Sequence, residues 1–125
     1  MIGYVTLGTN DMERAKSFYD ALLGSIGAKR VWDSDTFVSW QRSPETPAIC
    51  VAVPYDGDVA TAGNGGMTAI AAKDRDMVDA LHAKALSLGG ADEGGPRLRG
   101  GVFYAAYFRD LDGNKLCTFL FETKG

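Results

Sequence analysis

Histidine is nearly absent from this chain of 125 residues, and His82 is the single one. A metal site built on imidazole ligands needs several side chains that converge, and the sequence gives His82 no such partner. Its helical neighbours Val78 and Leu81 are of the core-facing type. We therefore expect His82 on the flank of a helix, in a structural or solvent-facing role.

Concentrated positive charge is also lacking, since the formal net charge is −3 and no run of Lys and Arg exceeds two residues. This excludes the basic face that a nucleic-acid partner requires. No apolar run approaches the roughly 20 residues that span a bilayer. The start of the sequence, MIGYVTLGTND, lacks the basic and apolar regions of a signal peptide. The expected location is the cytoplasm, where Cys50 and Cys117 stay reduced.

What the sequence does contain is an internal repeat. The 25 residues from Tyr4, YVTLGTNDMERAKSFYDALLGSIGA, align with the 25 from Met67, MTAIAAKDRDMVDALHAKALSLGGA, at an offset of 63. Asp11 then falls on Asp74. Both segments show a short strand, an acidic helix cap, an amphipathic helix and a glycine stop.

Each half continues with three strand-like runs, so the repeated unit is βαβββ and the fold class is α+β. Asn10 with Glu13 predicts a capping box at the first helix, and Asp74 is the cap of the second. We expect a single domain over 1–125. It comprises repeat one at about 1–56, a Gly- and Ala-rich linker at about 57–66 and repeat two at about 67–125. The expected strands are 4–9, 28–33, 36–41, 48–53, 67–72, a weak one near 91–99, 102–108 and 115–121.

A helix covers only one face of each small sheet, so two such units side by side would curl their free faces into a shared cleft. Along each strand, branched aliphatic residues alternate with small, aromatic and sulfur residues. We assign the second set to the cleft. Aligning AICVAV with KLCTFL makes Cys50 and Cys117 repeat equivalents, as Tyr4 and Met67 already are.

Aromatic residues on the same strands complete the expected lining, because aromatic rings on a concave face can stack on a planar ligand. The alternative for these rings is core packing. Arg97 and Arg99, in GGPRLRGG, could bind an acidic group, but a solvated loop is the simpler expectation. The expected cleft residues are Tyr4, Trp40, Cys50, Met67, Tyr104, Tyr107, Cys117 and Phe119.

Three segments together resemble the vicinal oxygen chelate superfamily, which includes glyoxalase I, the bleomycin-resistance proteins and the extradiol dioxygenases. They are YVTLGTNDMERAKSFYDALL, GNGGMTAIAAKDRDMVDALHAKALSLGG and GVFYAAYFRDLDGNKL, and the resemblance covers nearly the whole chain. The turn DLDGNKL resembles the family's Asp-Pro-Asp-Gly-Asn turn, with Leu111 in place of proline. The resemblance implies two βαβββ repeats around a U-shaped cleft.

In metal-using members of that superfamily the cleft holds one divalent ion on His and Glu ligands. Carried over by resemblance, Tyr4 and Met67 stand at histidine positions, Cys117 stands at a glutamate, and Cys50 falls near the fourth ligand. None of the four is His or Glu, and such a set suits Mg, Mn, Fe(II) or Ni poorly. We expect no metal cofactor. Two thiolates holding a soft ion such as Cu(I) or Zn are the alternative, and buried cysteines acting as small hydrophobes are the simpler expectation.

These expectations describe a glyoxalase- and bleomycin-resistance-like protein that binds a small, partly apolar molecule in its cleft without the usual divalent metal. The alternative is a metal-dependent enzyme with lactoylglutathione lyase-like isomerisation or dioxygenase chemistry. A metal-free enzyme using Tyr4 or Tyr104 as an acid is a further variant. No catalytic residue is assigned. Family members often pair, so the resemblance also implies a homodimer.

Overall fold

The computed structural model describes residues 1–122, and the chain divides into two compact units, Met1–Asn64 and Gly65–Gly125. The last three residues of the predicted second repeat, 123–125, lie outside the described residues. Each unit consists of a strand, a helix and three strands, which confirms the α+β class and the βαβββ repeat. The first unit contains β1 (Tyr4–Gly8), α1 (Met12–Gly24), β2 (Lys29–Asp33), β3 (Phe37–Gln41) and β4 (Ala48–Ala52). The second contains β5 (Thr68–Ala71), α2 (Arg75–Ser87), β6 (Ala91–Arg99), β7 (Phe103–Arg109) and β8 (Lys115–Phe121).

The two four-stranded sheets have the same topology, with strand orders β1-β4-β3-β2 and β5-β8-β7-β6. In each sheet the first strand pairs in parallel with the last, and the other neighbours are antiparallel. Thr6 pairs with Cys50 in the first sheet, and Ala69 pairs with Cys117 in the second. Ala69 follows Thr6 by the 63 residues of the repeat offset. The register therefore confirms that the two cysteines are repeat equivalents.

An aspartate caps the N-terminus of each helix. Its carboxylate accepts a hydrogen bond from the backbone N–H three residues further along the chain. The distances are 3.1 Å at Asp11 and 2.8 Å at Asp74. The cap of α2 is Asp74, as predicted. The cap of α1 is Asp11, so the predicted capping box of Asn10 and Glu13 is wrong by one residue. Asn10 instead accepts a hydrogen bond from the backbone N–H of Ala60 and donates to its carbonyl, at 2.6 Å and 3.0 Å. An amide side chain offers both groups and can satisfy a distant backbone in this way.

The end of α2 requires a residue without a side chain. A Cβ placed on Gly90 would lie 2.7 Å from the carbonyl oxygen of Arg109 and 2.8 Å from that of Ala85. Only glycine permits so close an approach of two backbone segments. Each helix spans 13 residues, and neither is long and apolar enough to cross a membrane, within the part of the chain that the structure describes.

In the first unit α1 packs on one face of the sheet, and Trp40 is the contact that fixes it. The Trp40 ring lies 5.6 Å from the ring of Tyr19, centroid to centroid. Its indole N–H donates to Asp20 Oδ1 at 2.9 Å, and Arg30 bonds the same carboxylate. This pairing lets a large ring be buried with its polar atom satisfied. The buried residues of α1 are Ala15, Phe18, Tyr19, Leu22 and Leu23.

In the second unit α2 packs Val78 against Tyr104 and Ala106. The Tyr104 hydroxyl donates to Asp79 Oδ1 of α2 at 2.6 Å, just as the Trp40 indole N–H donates to an aspartate of α1. His82 is 6% exposed, and its Nε2 lies 3.0 Å from an oxygen of the Asp92 carboxylate. The helix histidine is therefore buried and bonded to β6, which is a structural role.

One hydroxyl beneath α2 lacks a hydrogen-bond partner among the described residues, that of the fully buried Thr118. Removing an unsatisfied buried polar group while keeping the shape of the side chain relieves its desolvation penalty. We expect Thr118→Val to raise the free energy of unfolding by about 1 kcal/mol, measured by urea denaturation.

Thr6→Val is the matched control, because Thr6 lies at an exposed position of β1. That substitution should change stability by less than about 0.5 kcal/mol. A Thr118→Val protein that is less stable than the wild type would show that the hydroxyl contributes favourably.

Candidate functional site

The face of the first sheet opposite α1 carries a row of four side chains. Thr6, Cys50, Ser39 and Trp32 are neighbours in the strand register across β1, β4, β3 and β2. Directly paired residues share a face, and Trp40, next to Ser39, marks the other face by its contact with the helix. Trp32 is 61% exposed, so this helix-free face presents an aromatic side chain beside a buried thiol.

An open hollow of about 580 Å³ lies on the same unit, at the end of the sheet where β4 runs into the following loop. This size falls within the range of small-molecule sites in proteins, ~300 to 1,000 Å³. Its wall is largely apolar, and its polar side-chain groups are the hydroxyls of Thr6, Thr36 and Tyr55. The lining residues are Thr6, Gly8, Thr36, Phe37, Ala52, Val53, Pro54 and Tyr55.

Cys50 is buried on the helix-free face, with its sulfur 3.1 Å from the Ser39 hydroxyl. Burial raises the pKa of the Cys50 thiol, and the hydrogen bond with Ser39 opposes this only in part. The thiol is therefore a neutral group at physiological pH. Tyr4, which lies on the same face, is 63% exposed and meets Phe37 edge-on at 6.4 Å between ring centroids.

The equivalent position in the second unit, Cys117, is fully buried between Ala69 and Tyr107 in the register. Burial raises the pKa of the Cys117 thiol, and the positive charges of Arg99 and Lys115 and a hydrogen bond with Tyr107 pull it down by less. Cys117 is thus a neutral thiol on the helix-free face. It has more positive surroundings than Cys50.

An aromatic cluster lies on the helix-free face of the second sheet, further along β8 from Cys117. Phe103 stacks on Phe119 at 5.5 Å, and Phe121 lies 5.1 Å from Phe103 and 5.8 Å from Phe119, between ring centroids. Phe121 is 66% exposed. The cluster therefore offers an aromatic surface to solvent and fits the prediction that Phe119 points away from α2.

Tyr107, on the same face, lies between two cations. The Arg99 guanidinium is 4.9 Å and the Lys115 ammonium 5.4 Å from its ring centroid. Arg97 and Arg99 both belong to β6, so the expectation of a solvated loop is wrong for both residues. Glycines interrupt the sequence of β6, and two register irregularities, at Asp92/Gly94 and Gly94/Arg97, hide the alternation that would have located its side chains.

Two of the eight predicted cleft residues lie on the opposite face. Trp40 packs under α1 and Tyr104 under α2. Both were assigned to the cleft because their strands were expected to form its wall, but both rings face the helix, where an acid satisfies the indole or phenol. The Asp79 carboxylate also raises the pKa of Tyr104, which leaves this phenol unsuited to act as an acid on the helix-free face.

The remaining predicted residues keep the predicted face or its edge. Met67 directly precedes β5 and is 49% exposed. Their joint contact with a ligand stays a prediction. The residues on the helix-free faces by register are Tyr4, Cys50, Tyr107, Cys117 and Phe119.

The side chains at the family's ligand positions do not fit a hard divalent ion. Cys50 and Cys117 are neutral thiols, because burial raises both pKa values, and a metal would have to displace their protons. Tyr4 and Met67 supply a phenol and a thioether, neither of which Mg, Mn or Fe(II) prefers. Among residues 1–122 no group of three His, Cys, Asp or Glu side chains is placed to hold a metal ion.

The chain belongs to the Glyoxalase/Bleomycin resistance protein/Dioxygenase superfamily, whose family model matches residues 1–118. A crystal structure of a glyoxalase/bleomycin resistance protein from Albidiferax ferrireducens is 37% identical. It aligns over 95% of this chain and 98% of that chain with a TM-score of 0.87. A hypothetical protein from S. aureus is 25% identical, with coverages of 96% and 92% and a TM-score of 0.74. None of the curated proteins matches the chain significantly.

A lactoylglutathione lyase from Agrobacterium tumefaciens shares the fold, with a TM-score of 0.71 over 95% of this chain and 92% of that chain. Its sequence identity is 22%, which establishes a common fold and no common chemistry.

Both thiols should react slowly with an aromatic disulfide reagent in the native protein and rapidly in urea. The thiolate is the reactive form, and burial keeps each thiol protonated and out of contact with the reagent. A pKa raised above the ordinary 9.0 means that the folded state keeps its protons where the unfolded state loses them. Stability should therefore fall as the pH rises above about 9. The checks are the labelling rate and the urea midpoint as functions of pH.

A Ser87→Cys variant serves as the control, since it adds a thiol at an exposed position of α2 that should label at once. Rapid labelling of native Cys50 or Cys117 at neutral pH would contradict neutral, inaccessible thiols.

Proposed function

We propose that this chain is a binding protein of the superfamily, which takes a small, partly apolar organic molecule on the helix-free side of its sheets without a divalent metal. The observation that carries the proposal is the apolar hollow of about 580 Å³ in the first unit. Side chains of the unit do not fill it, and its size suits a molecule of a few fused or linked rings.

The lining of the hollow favours a neutral or weakly polar ligand. Phe37, Val53 and Pro54 supply apolar surface, and Thr6 and Thr36 supply hydroxyl groups that can orient a ligand. No charged residue takes part in this lining. Transfer of apolar ligand surface from water to such a wall is favourable by roughly 25 cal/mol for each Å² that is buried.

The donor chemistry supports binding rather than metal catalysis. Lyase and dioxygenase reactions of the superfamily use a metal ion as a Lewis acid that holds the substrate oxygens. Such an ion needs oxygen or imidazole ligands, and this chain has Tyr4, Cys50, Met67 and Cys117 at the corresponding positions. The alternative, a metal-dependent enzyme, therefore lacks the ligands that its chemistry requires.

The neutral fluorescent probe N-phenyl-1-naphthylamine tests the hollow directly. We expect saturable binding with enhanced emission, and a rise in melting temperature, because the probe binds the folded state only. Ala52→Phe places a ring in the hollow and should weaken the binding by about tenfold or more. Ala83→Phe, the same change on the exposed side of α2, should leave the affinity unchanged.

Equal binding by both variants would show that the probe sits elsewhere. Absence of saturable binding by the wild type, with this probe and with a broad set of neutral aromatic compounds, would contradict the proposal.

Metal titration tests the second half of the proposal. Calorimetry with Zn, Ni, Mn and Fe(II) should show no stoichiometric binding near neutral pH, because the buried thiols must first lose protons that they hold tightly. Cys50→Ser and Cys117→Ser are the matched variants. Stoichiometric binding to the wild type that both variants lose would mean that sulfur has rebuilt a metal site.

A further inference from the structure

Two positive side chains lie beside the ring of Tyr107 on the helix-free face of the second sheet. Arg99 and Lys115 flank the ring of Tyr107 at 4.9 Å and 5.4 Å, and among residues 1–122 neither forms an ion pair with a carboxylate. Glu93, on β6, forms an ion pair with Arg109, and the hydrogen bond and charge of Arg109, with a smaller effect of the Lys115 charge, lower the pKa of its carboxyl. The two cations thus leave a local excess of positive charge on a partly buried surface.

The Arg99 guanidinium is fixed in place without any ligand. It donates to the carbonyl oxygens of Gly95 at 3.1 Å and Arg97 at 3.2 Å, and to that of Ala105. A Cβ on Gly94 would lie 3.1 Å from Arg99 Nη2, and Gly94 has a φ of +149°, which favours glycine. The glycine therefore leaves the space in which the guanidinium lies.

These bonds do not exhaust the donors of the arginine. A guanidinium carries five N–H groups, and the contacts with the three carbonyl oxygens use three of them. Two N–H groups remain for an external acceptor. Because the group is already ordered, binding an anion there loses little side-chain entropy.

An aromatic surface adjoins the cations. Arg99 is paired in register with Phe103, and Phe103 belongs to the cluster with Phe119 and Phe121. Phe121 is two-thirds exposed and offers the face of a ring to a planar group. The positive charge and the aromatic surface thus lie on the same face of the second unit.

We infer that this face of the second unit is a binding site for a small aromatic carboxylate. Arg99 takes the carboxylate beside Tyr107, Lys115 adds attraction at longer range, and the ring of the ligand packs against Phe119 and Phe121. Arginine suits the acid because its planar N–H groups match the geometry of a carboxylate. The site goes beyond the proposed function, since the hollow of the first unit has no charged group and recognises no acid.

A matched pair of ligands isolates the charge. We expect 2-naphthoate to bind about tenfold or more tightly than 2-naphthamide, which has the same rings without the negative charge. Calorimetry or ligand-observed NMR measures both affinities. Added salt should weaken the binding of the acid and leave that of the amide nearly unchanged, because salt screens attraction between charges.

Variants identify the cations. Lys115→Gln should weaken 2-naphthoate about fivefold and leave 2-naphthamide unchanged, and Lys84→Gln on the exposed side of α2 is the charge-matched control. Arg99→Gln should remove the preference for the acid, but it also loses bonds to three carbonyl oxygens. Arg99→Lys, which keeps the charge without the planar fork, should retain part of the preference, with circular dichroism confirming the fold of each variant.

Equal affinity for the acid and the amide would overturn the inference. So would an unchanged affinity for 2-naphthoate in both the folded Lys115→Gln and Arg99→Lys proteins. Binding of N-phenyl-1-naphthylamine tests the hollow separately. If this neutral probe fails to bind while 2-naphthoate still binds more tightly than 2-naphthamide, the proposed function is wrong at the hollow and the carboxylate site of the second unit stands.

Discussion

Each sheet of this protein packs its own helix on one face, and this arrangement decides which side chains of each strand are available for a ligand. A single helix of 13 residues is held to each sheet by an aromatic residue that bonds an acid of the helix, Trp40 with Asp20 and Tyr104 with Asp79. These contacts fix which face of each sheet packs against its helix. The alternate residues are left on a face that no helix of the same unit covers, and the candidate site residues lie there.

The two helix-free faces have diverged although their backbones repeat. Cys50 in the first unit has a serine partner and lies near an apolar hollow, whereas Cys117 in the second has Tyr107 and two cations. At both positions burial raises the pKa of the thiol and keeps it neutral. The same topology thus presents an apolar surface in one unit and an aromatic, positively charged surface in the other.

Much of the fold was predictable because its signals are local and occur twice. The aligned segments from Tyr4 and Met67, the cap at Asp74 and the cysteine equivalence all followed from pattern and offset, and the register confirms them. The faces of Trp40 and Tyr104 were predicted wrongly, because a ring with a polar atom suits either face until its partner is known. Asn10 was mistaken for a cap because its partner, the backbone of Ala60, is distant in the sequence.

The candidate site was less predictable for a related reason. Arg99 lies over Tyr107 beside Gly94, where the absence of a side chain leaves space and the strand is irregular on either side. The hollow is formed partly by Pro54 and Tyr55, which follow β4 and belong to no periodic pattern. Spacing rules describe regular strands, so they fail where a strand is interrupted or ends. The homodimer and the cytoplasmic compartment stay predictions.

We propose that an organic ligand binds the helix-free side of a sheet and not the helix side. Amide chemical-shift mapping of the labelled protein with N-phenyl-1-naphthylamine distinguishes the two sides. We expect saturable shifts concentrated at Thr36, Phe37, Ala52 and Val53 around the hollow, with α1 and α2 little affected. Shifts concentrated on the exposed sides of the helices, or no saturable shifts at all, would contradict it.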